Sequence, residues 1–411
     1  MVSVCFYFQV HQPFRLRKYS LFDIGNDQQY FDMTKNIEVM DKITKKCYLP
    51  MNQLLLDLIH KQKGRFKVSF SITGTALEQF EQFSPKVLES FQALADTGCV
   101  EFLNETYHHS LSFLYSPEEF KEQVALHRRR IKALFHQTPR VFRNTELVYN
   151  NELGRLAEDM GYDAILAEGA DHVLGWRSPN FLYRPKGCSR IKLLLKNYRL
   201  SDDIAFRFSN KGWGEWPLTV PKYASWINAV NGNGQVMDLF MDYETFGEHQ
   251  WADTGIFRFM QDLPKELLKH KDNDFKTVSE VAAAYEPVAE LDIPHPVSWA
   301  DLERDLSAWT GNKIQQAAIR QLYALEPEVK KTKDPQLLEL WRKLTTSDHF
   351  YYMCTKWFAD GDVHKYFNPY DNPYDGFITF MNVLNDLILR VKEKQGEKPS
   401  GTGNLISPTE I

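Results

Sequence analysis

Short apolar runs of strand length alternate along this chain with longer stretches of helical period, and that alternation predicts its elements. Residues 2–10, 66–72, 99–103, 140–143, 163–167, 191–195 and 236–241 read as seven strands. The last is bracketed by Gly232, Gly234 and Gly247, which hold it to strand length. Between the strands, residues 38–60 carry Leu54, Leu55, Leu58 and Ile59 on one helical face. Further helices are predicted from Ala76, over 85–95, over 117–136 and from Asn151. Ser116-Pro117-Glu118-Glu119 is a helix-start signature among them.

Seven strand-then-helix units predict an α/β fold, an incomplete and mainly parallel (β/α)7 TIM-like barrel over residues 1–285. Residues 286–300 are Pro-rich and mark a connector. Helices are then expected over 301–308, 312–325, 335–346 and 376–391, as a C-terminal α-helical bundle over residues 286–394. Residues 395–411 are charged, contain Gly and Pro, and read as a flexible tail.

In a barrel of this kind the C-terminal strand ends gather on one face, whatever their separation in sequence. His11, His108, Glu146 and Asp242 each follow a strand by a few residues. The densest polar cluster breaks out of the last apolar run: Asp242, Glu244, Glu248, His249 and Trp251. Acids favour helix N-termini, so Asp242, Glu244 and Glu146 each fit a capping role. A cap accounts for one acid, not for four polar groups set among Phe246 and Trp251. Asp202 is expected to cap a short helix. Adjacent His108 and His109 point to opposite sides of an extended segment, so at most one of them faces the site. Trp213 and Trp216 lie in a loop and read as a ligand platform.

Composition narrows the partners. A net charge of -5 supplies no basic field, so no nucleic-acid partner is expected. No run of about 18 apolar residues occurs, so no membrane span is expected, and the first residues read as a strand rather than a leader. The five cysteines are scattered and never form C-x-x-C, which suits reduced thiols in a cytoplasmic protein. Aromatic residues make up 14% of the chain, including 9 Trp, and offer stacking faces for sugar rings.

Two carboxylates across such a mouth suit glycoside cleavage. One attacks the anomeric carbon while the other, kept protonated by its surroundings, protonates the departing oxygen. No G-x-S-x-G, Walker A or G-x-G-x-x-G is present, so acyl and phosphoryl transfer have no motif to rest on.

Five stretches carry a family resemblance. They are His11-Gln-Pro, Phe102-Leu-Asn-Glu-Thr-Tyr-His108-His-Ser, Phe142-Arg-Asn-Thr-Glu146-Leu, Met241-Asp242-Tyr-Glu-Thr-Phe-Gly-Glu-His and Thr346-Ser-Asp348-His-Phe-Tyr-Tyr. In this order the chain resembles glycoside hydrolase family 57, and residues 200–208 and 303–309 look like its short amylase-type members. The resemblance implies a (β/α)7 barrel followed by a helical bundle that contributes to the active-site cleft. It implies a retaining mechanism on α-1,4-glucans, with α-amylase as the leading activity and 4-α-glucanotransferase or branching-type transglycosylation as the alternative. Glu146 matches the nucleophile and Asp242 the general acid/base, while His11, His108 and Asp348 match positions lining the sugar site.

To these the residue pattern adds Trp213, Trp216, His249 and Trp251 as substrate contacts and Glu244 as a reserve acid/base. The expected partner is an α-glucan or malto-oligosaccharide. The family mechanism requires no metal and no cofactor. A retaining pair predicts carboxyl groups about 5 to 6 Å apart. Two readings of other classes stand beside this one. A metal-dependent carbohydrate deacetylase would need a cation at His11 with His108 or His109, and a glucan-binding homologue would be catalytically silent.

Overall fold

The computed structural model describes residues 2–356 and 368–396. Every apolar run singled out in the sequence forms a strand. These are β1 (Val2–Val10), β2 (Val68–Ile72), β3 (Val100–Phe102), β4 (Val141–Phe142) and β5 (Ala164–Glu168). After β6 (Tyr183–Pro185) come β7 (Lys192–Lys196) and β8 (Val236–Asp242), then β9 (Asn273–Phe275) and β10 (Ala289–Leu291). The sequence reading missed β6, β9 and β10. Each has three residues, too few to show a period, and β6 contains a proline, which ordinarily argues against a strand.

Two five-stranded sheets result, both mixed with helices in an α/β arrangement. In the first, β1 pairs in parallel with β2, β8 and β9, and β2 with β3. In the second, β4, β5 and β7 are parallel in that order, while β6 runs antiparallel to β7 and parallel to β10. Two links join the sheets: a parallel bridge between Asn104 and Phe142, and a hydrogen bond from Asn197 N to Asp238 O of 2.9 Å.

Register decides what these strands present. Cys5, Tyr7 and Gln9 lie opposite Asp238, Phe240 and Asp242. Because side chains alternate with a period of two, all six share one side of the sheet. Lower on that side Cys5, Tyr7, Val141, Leu166, Leu194 and Phe240 belong to one buried cluster, with the Asp238 carboxyl buried beside Cys5. The other side of β1 is aromatic: Phe8 packs on Phe70, Tyr243 and Phe246.

The helix expected over 38–60 is longer and interrupted. Met33–Ile43 and Leu49–Lys61 are joined by a π-helical turn at Thr44–Tyr48. Asp202 does not cap its helix. Asn197 does, its Oδ1 accepting from Leu200 N at 3.1 Å, and Asp202 lies inside Tyr198–Ala205. All five cysteines are buried and unpaired with one another.

The chain divides into two compact units: residues 1–12, 39–107 and 122–305, and residues 13–38, 108–121 and 306–411. Residues 286–305 group with the strands because backbone bonds join Tyr149 to Val297 and Asn151 to Ile293. The helix expected over 301–308 is reduced to Ser307–Thr310, since Asp301 and Arg304 both take left-handed backbone angles (φ 54°). In the second unit, helices Lys313–Ala324, Pro335–Leu344 and Pro373–Lys394 correspond to expected ones, while Glu326–Thr332 and Ser347–Tyr351 were missed. Trp341 fills the interior there and donates its indole N–H to Leu322 O at 2.8 Å. From residue 397 the expected tail lies outside the described residues. Among the described residues no helix is long and apolar enough to cross a membrane.

Candidate active site

Glu146 stands at a strained corner. After β4 the chain makes a single tight turn, Thr145–Leu147, in which Glu146 (φ 57°, ψ 24°) and Leu147 (φ 51°) are both left-handed. For non-glycine residues this costs on the order of 1–2 kcal/mol each and persists only where neighbours enforce it. The enforcing neighbour is residues 297–299. Tyr149 and Val297 exchange two backbone bonds of 2.9 Å, and Trp299 N donates to Glu146 O at 3.1 Å. The Trp299 indole Nε1 donates to the carboxylate Oε2 of the same Glu146 at 2.7 Å.

Around that corner runs a belt of buried charge. Arg143, fully buried, lies 3.9 Å from Glu105 and sets its guanidinium 4.7 Å from the centre of the Trp299 ring. Glu105 also accepts from Gln9 Nε2 at 3.2 Å, and Gln9 Oε1 accepts from the Tyr7 and Ser71 hydroxyls. Burial raises the Tyr7 phenol pKa most; Arg143 pulls it down, and Glu105 and Asp242 push it up. Tyr7 therefore lies within electrostatic reach of both Arg143 and Asp242. On the other side, Lys196 sits 5.5 Å from the Trp299 ring, 3.6 Å from Glu168 and 3.0 Å from Asp202. Arg304 closes the belt on Glu168 (3.3 Å) and Asp202 (3.4 Å). Burial raises the Glu168 pKa while Lys196 and Arg304 oppose it.

Asp242 reaches its place differently. It is the last residue of β8, paired with Gln9, in extended geometry (φ -65°, ψ 140°) and partly exposed. Glu244, two residues on, is buried and accepts from the Tyr48 hydroxyl, which the π-helical turn delivers, and from Gln12 Nε2 at 3.5 Å. Burial first, then the charge of Asp242, pushes the Glu244 pKa up to about 8, so its carboxyl is protonated at neutral pH. Glu248 is buried in ion pairs with Lys42 and, at 3.8 Å, Lys46. Lys46 in turn lies over the ring of Trp251, which is 53% exposed.

The model of glycosyl hydrolase family 57 matches residues 5–294. A putative alpha-amylase from Methanocaldococcus jannaschii is 44% identical over 404 residues, covering 95% of this chain and 85% of that protein. The chain belongs to glycosyl hydrolase family 57. Solved structures share its fold. The branching enzyme of this family from Pyrococcus horikoshii superposes with a TM-score of 0.67 at 14% identity, covering 99% of each chain. The 4-alpha-glucanotransferase from Thermococcus litoralis gives 0.64 at 16% identity. That match covers 85% of this chain, which spans 56% of the transferase.

The five stretches that carry the resemblance are divided between the units. His11, Glu146 and Asp242 are in the first, where His11 follows β1 directly and pairs its Nδ1 with Thr73 Oγ1 at 3.0 Å. His108 and Asp348 are in the second. There both His108 and His109 are buried, with Thr346 Oγ1 donating to His108 O and Ser347 N to His109 O, each at 2.9 Å. Burial, with Arg342 and Lys343 near by, holds the His108 pKa well below the usual imidazole range. Trp213 is edge-on to Trp226 and 5.7 Å from Arg207, and Trp216 N donates to Trp213 O at 2.9 Å. His249 is partly buried, its N–H donating to Glu244 O at 3.0 Å. Among the described residues, no group of three or more His, Cys, Asp or Glu side chains is disposed to hold a metal ion.

Sequence reasoning missed Trp299, Arg143, Lys196 and Arg304 as members of this site. A signal existed for two of them: Arg143 and Lys196 close apolar runs with a charge, as Asp242 does. Trp299 sits in the Pro-rich connector and carries no local signal, while Arg304 falls in the stretch read as a helix over 301–308.

Proposed function

We propose that this family 57 glycoside hydrolase is a retaining enzyme of the α-amylase type acting on α-1,4-glucans, with Glu146 as nucleophile and Asp242 as general acid/base. The observation that carries the reading is the Glu146 carboxylate, fixed by an indole N–H at a strained corner within a belt of buried charge. In the first step a Glu146 oxygen bonds to the anomeric carbon as the bond to the departing oxygen breaks, and Asp242 gives that oxygen its proton. In the second, Asp242 takes a proton from water, the water oxygen bonds to the anomeric carbon, and the Glu146 carboxylate leaves. The near relative bearing a putative alpha-amylase name supports the substrate class.

The same reading takes β1–β5, β7 and β8 as the seven strands of an incomplete barrel, supported by the two links between the sheets. It takes the later helices as a bundle domain. His11, His108, Asp348, His249, Trp213, Trp216 and Trp251 are assigned to substrate contact. For His11, His108 and Asp348 the support is their match to the family regions; for the others it is their residue type and setting.

The test is product analysis on soluble starch and maltodextrins with wild type, Glu146→Ala and Asp242→Ala. Both variants, still folded, are expected to lose at least about a hundredfold. Net release of reducing ends identifies a hydrolase. Redistribution of chain lengths without it identifies a transglycosylase on the same carboxylate pair. Variants that keep wild-type turnover overturn the assignment.

A further inference from the structure

The role of Trp299 goes beyond packing. Its backbone already completes the ladder to residues 146–149, which any residue with a free N–H could do. The indole adds a hydrogen bond aimed at one carboxylate oxygen of Glu146. A hydrogen bond to an ionised acceptor is roughly twice as strong as one between neutral groups. Two cations lie close to the same ring, Arg143 at 4.7 Å and Lys196 at 5.5 Å, both within cation–π range. They draw density from the indole and make its N–H a stronger donor.

The segment bearing Trp299 is clasped from behind. Arg304 donates to Trp299 O at 2.7 Å while held by Glu168 and Asp202, and Ser298 bonds to Arg304 O and Asp305 O. Residues 297–305 thus form a strap whose one aromatic tip rests on the nucleophile.

We propose that Trp299 is a positioning residue whose indole N–H orients Glu146 and stabilises it as the leaving carboxylate when the glycosyl-enzyme is hydrolysed. The inference rests on the reading of Glu146 as nucleophile. The direction follows from charge. When the glycosyl-enzyme forms, Glu146 gives up negative charge, so an N–H donor to it is worth less in that transition state. When the ester breaks, the charge returns, and the donor is worth more. Removing the N–H therefore slows deglycosylation more than glycosylation.

The experiment uses the full chain with an aryl α-maltoside carrying a good leaving group, comparing wild type, Glu146→Ala and Trp299→Phe. For Trp299→Phe we expect kcat to fall about 10- to 100-fold and KM to fall with it. A burst of released phenol and a covalent maltosyl adduct on Glu146 should be visible by mass spectrometry. Should Trp299→Phe fail to fold, benzothienylalanine at position 299 keeps the bicyclic ring without the N–H and must show the same burst. Unchanged kcat, or a loss without burst or adduct, while Glu146→Ala is inactive, overturns the positioning role. A fully active Glu146→Ala overturns instead the reading beneath it.

Discussion

The two acids proposed for catalysis reach their places by opposite means. Asp242 ends a seven-residue strand in plain extended geometry, and its direction is set by pairing with β1. Glu146 follows a two-residue strand, stands in left-handed backbone, and is held there by a segment about 150 positions away in sequence. On the proposed roles, the group that moves a proton is aimed by regular secondary structure. A nucleophile must lie in line with a carbon it attacks, and misplacement of about 1 Å can cost a hundredfold. On those roles the strained corner stands where precision matters more.

The largest test of this contrast separates the acids by leaving group. Asp242→Ala should lose about 10²- to 10⁴-fold on maltodextrin but far less on an aryl α-maltoside that needs no proton to depart. Glu146→Ala should be inactive on both. Equal losses on the aryl substrate would erase the distinction between the corners.

Next in size is the buried pair that flanks the Glu146 corner. Arg143→Met leaves Glu105 buried without its cation and should destabilise the protein by about 3–5 kcal/mol in denaturant unfolding. A cost below about 1 kcal/mol would mean that Glu105 is held by hydrogen bonds such as that from Gln9 without need of the Arg143 charge.

The Asp242 corner should answer to pH. Glu244 is pushed up to about 8 by burial, against an ordinary value near 4.5 in the unfolded chain. Between these values the unfolded state releases a proton that the folded state keeps, so stability falls as pH rises through the window. Glu244→Gln retains the acceptor for Tyr48 and removes the titration. The variant should match the wild type near pH 4.5 and exceed it increasingly towards pH 8, by a few kcal/mol at most. Parallel melting temperatures across that range would show Glu244 ionised in the fold.

The smallest effect is expected at the exposed rim. Trp251→Ala loses the contact with Lys46 and should change stability by less than about 1 kcal/mol, measured by thermal melting. A larger loss would mean that the rim helps to hold the Asp242 corner.

The same contrast explains what could be read from sequence. Each of the seven strands legible in the sequence falls on an apolar run of four residues or more, and Asp242 stands out because it ends one. Glu146 was found by its position after a strand and by its family region, not by anything that foretold a left-handed corner. Strain arises from tertiary restraint, and no local pattern encodes it. The strap straddles two readings, a connector up to residue 300, where prolines suggest a spacer, and a helix from 301, while its work is done by Trp299 and Arg304 through partners distant in sequence. The helix over 301–308 failed for the same reason: Arg304 is pulled out of helical geometry to reach Glu168 and Asp202. The second unit's inclusion of residues 13–38 and 108–121 was equally hidden, since loops carry no period.

The placement of β1 bears on how such a chain is made. One edge of this wholly buried strand pairs early, with residues 68–72, but its other partners are residues 236–242 and 273–275. At about 5–20 residues per second, ribosomes need on the order of 10–50 s to synthesise the intervening stretch. Throughout that interval an apolar, phenylalanine-rich edge has no partner, the condition under which strands pair with other chains. Fragments ending before residue 236 should therefore aggregate, and the nascent protein should depend on chaperones until its eighth strand emerges.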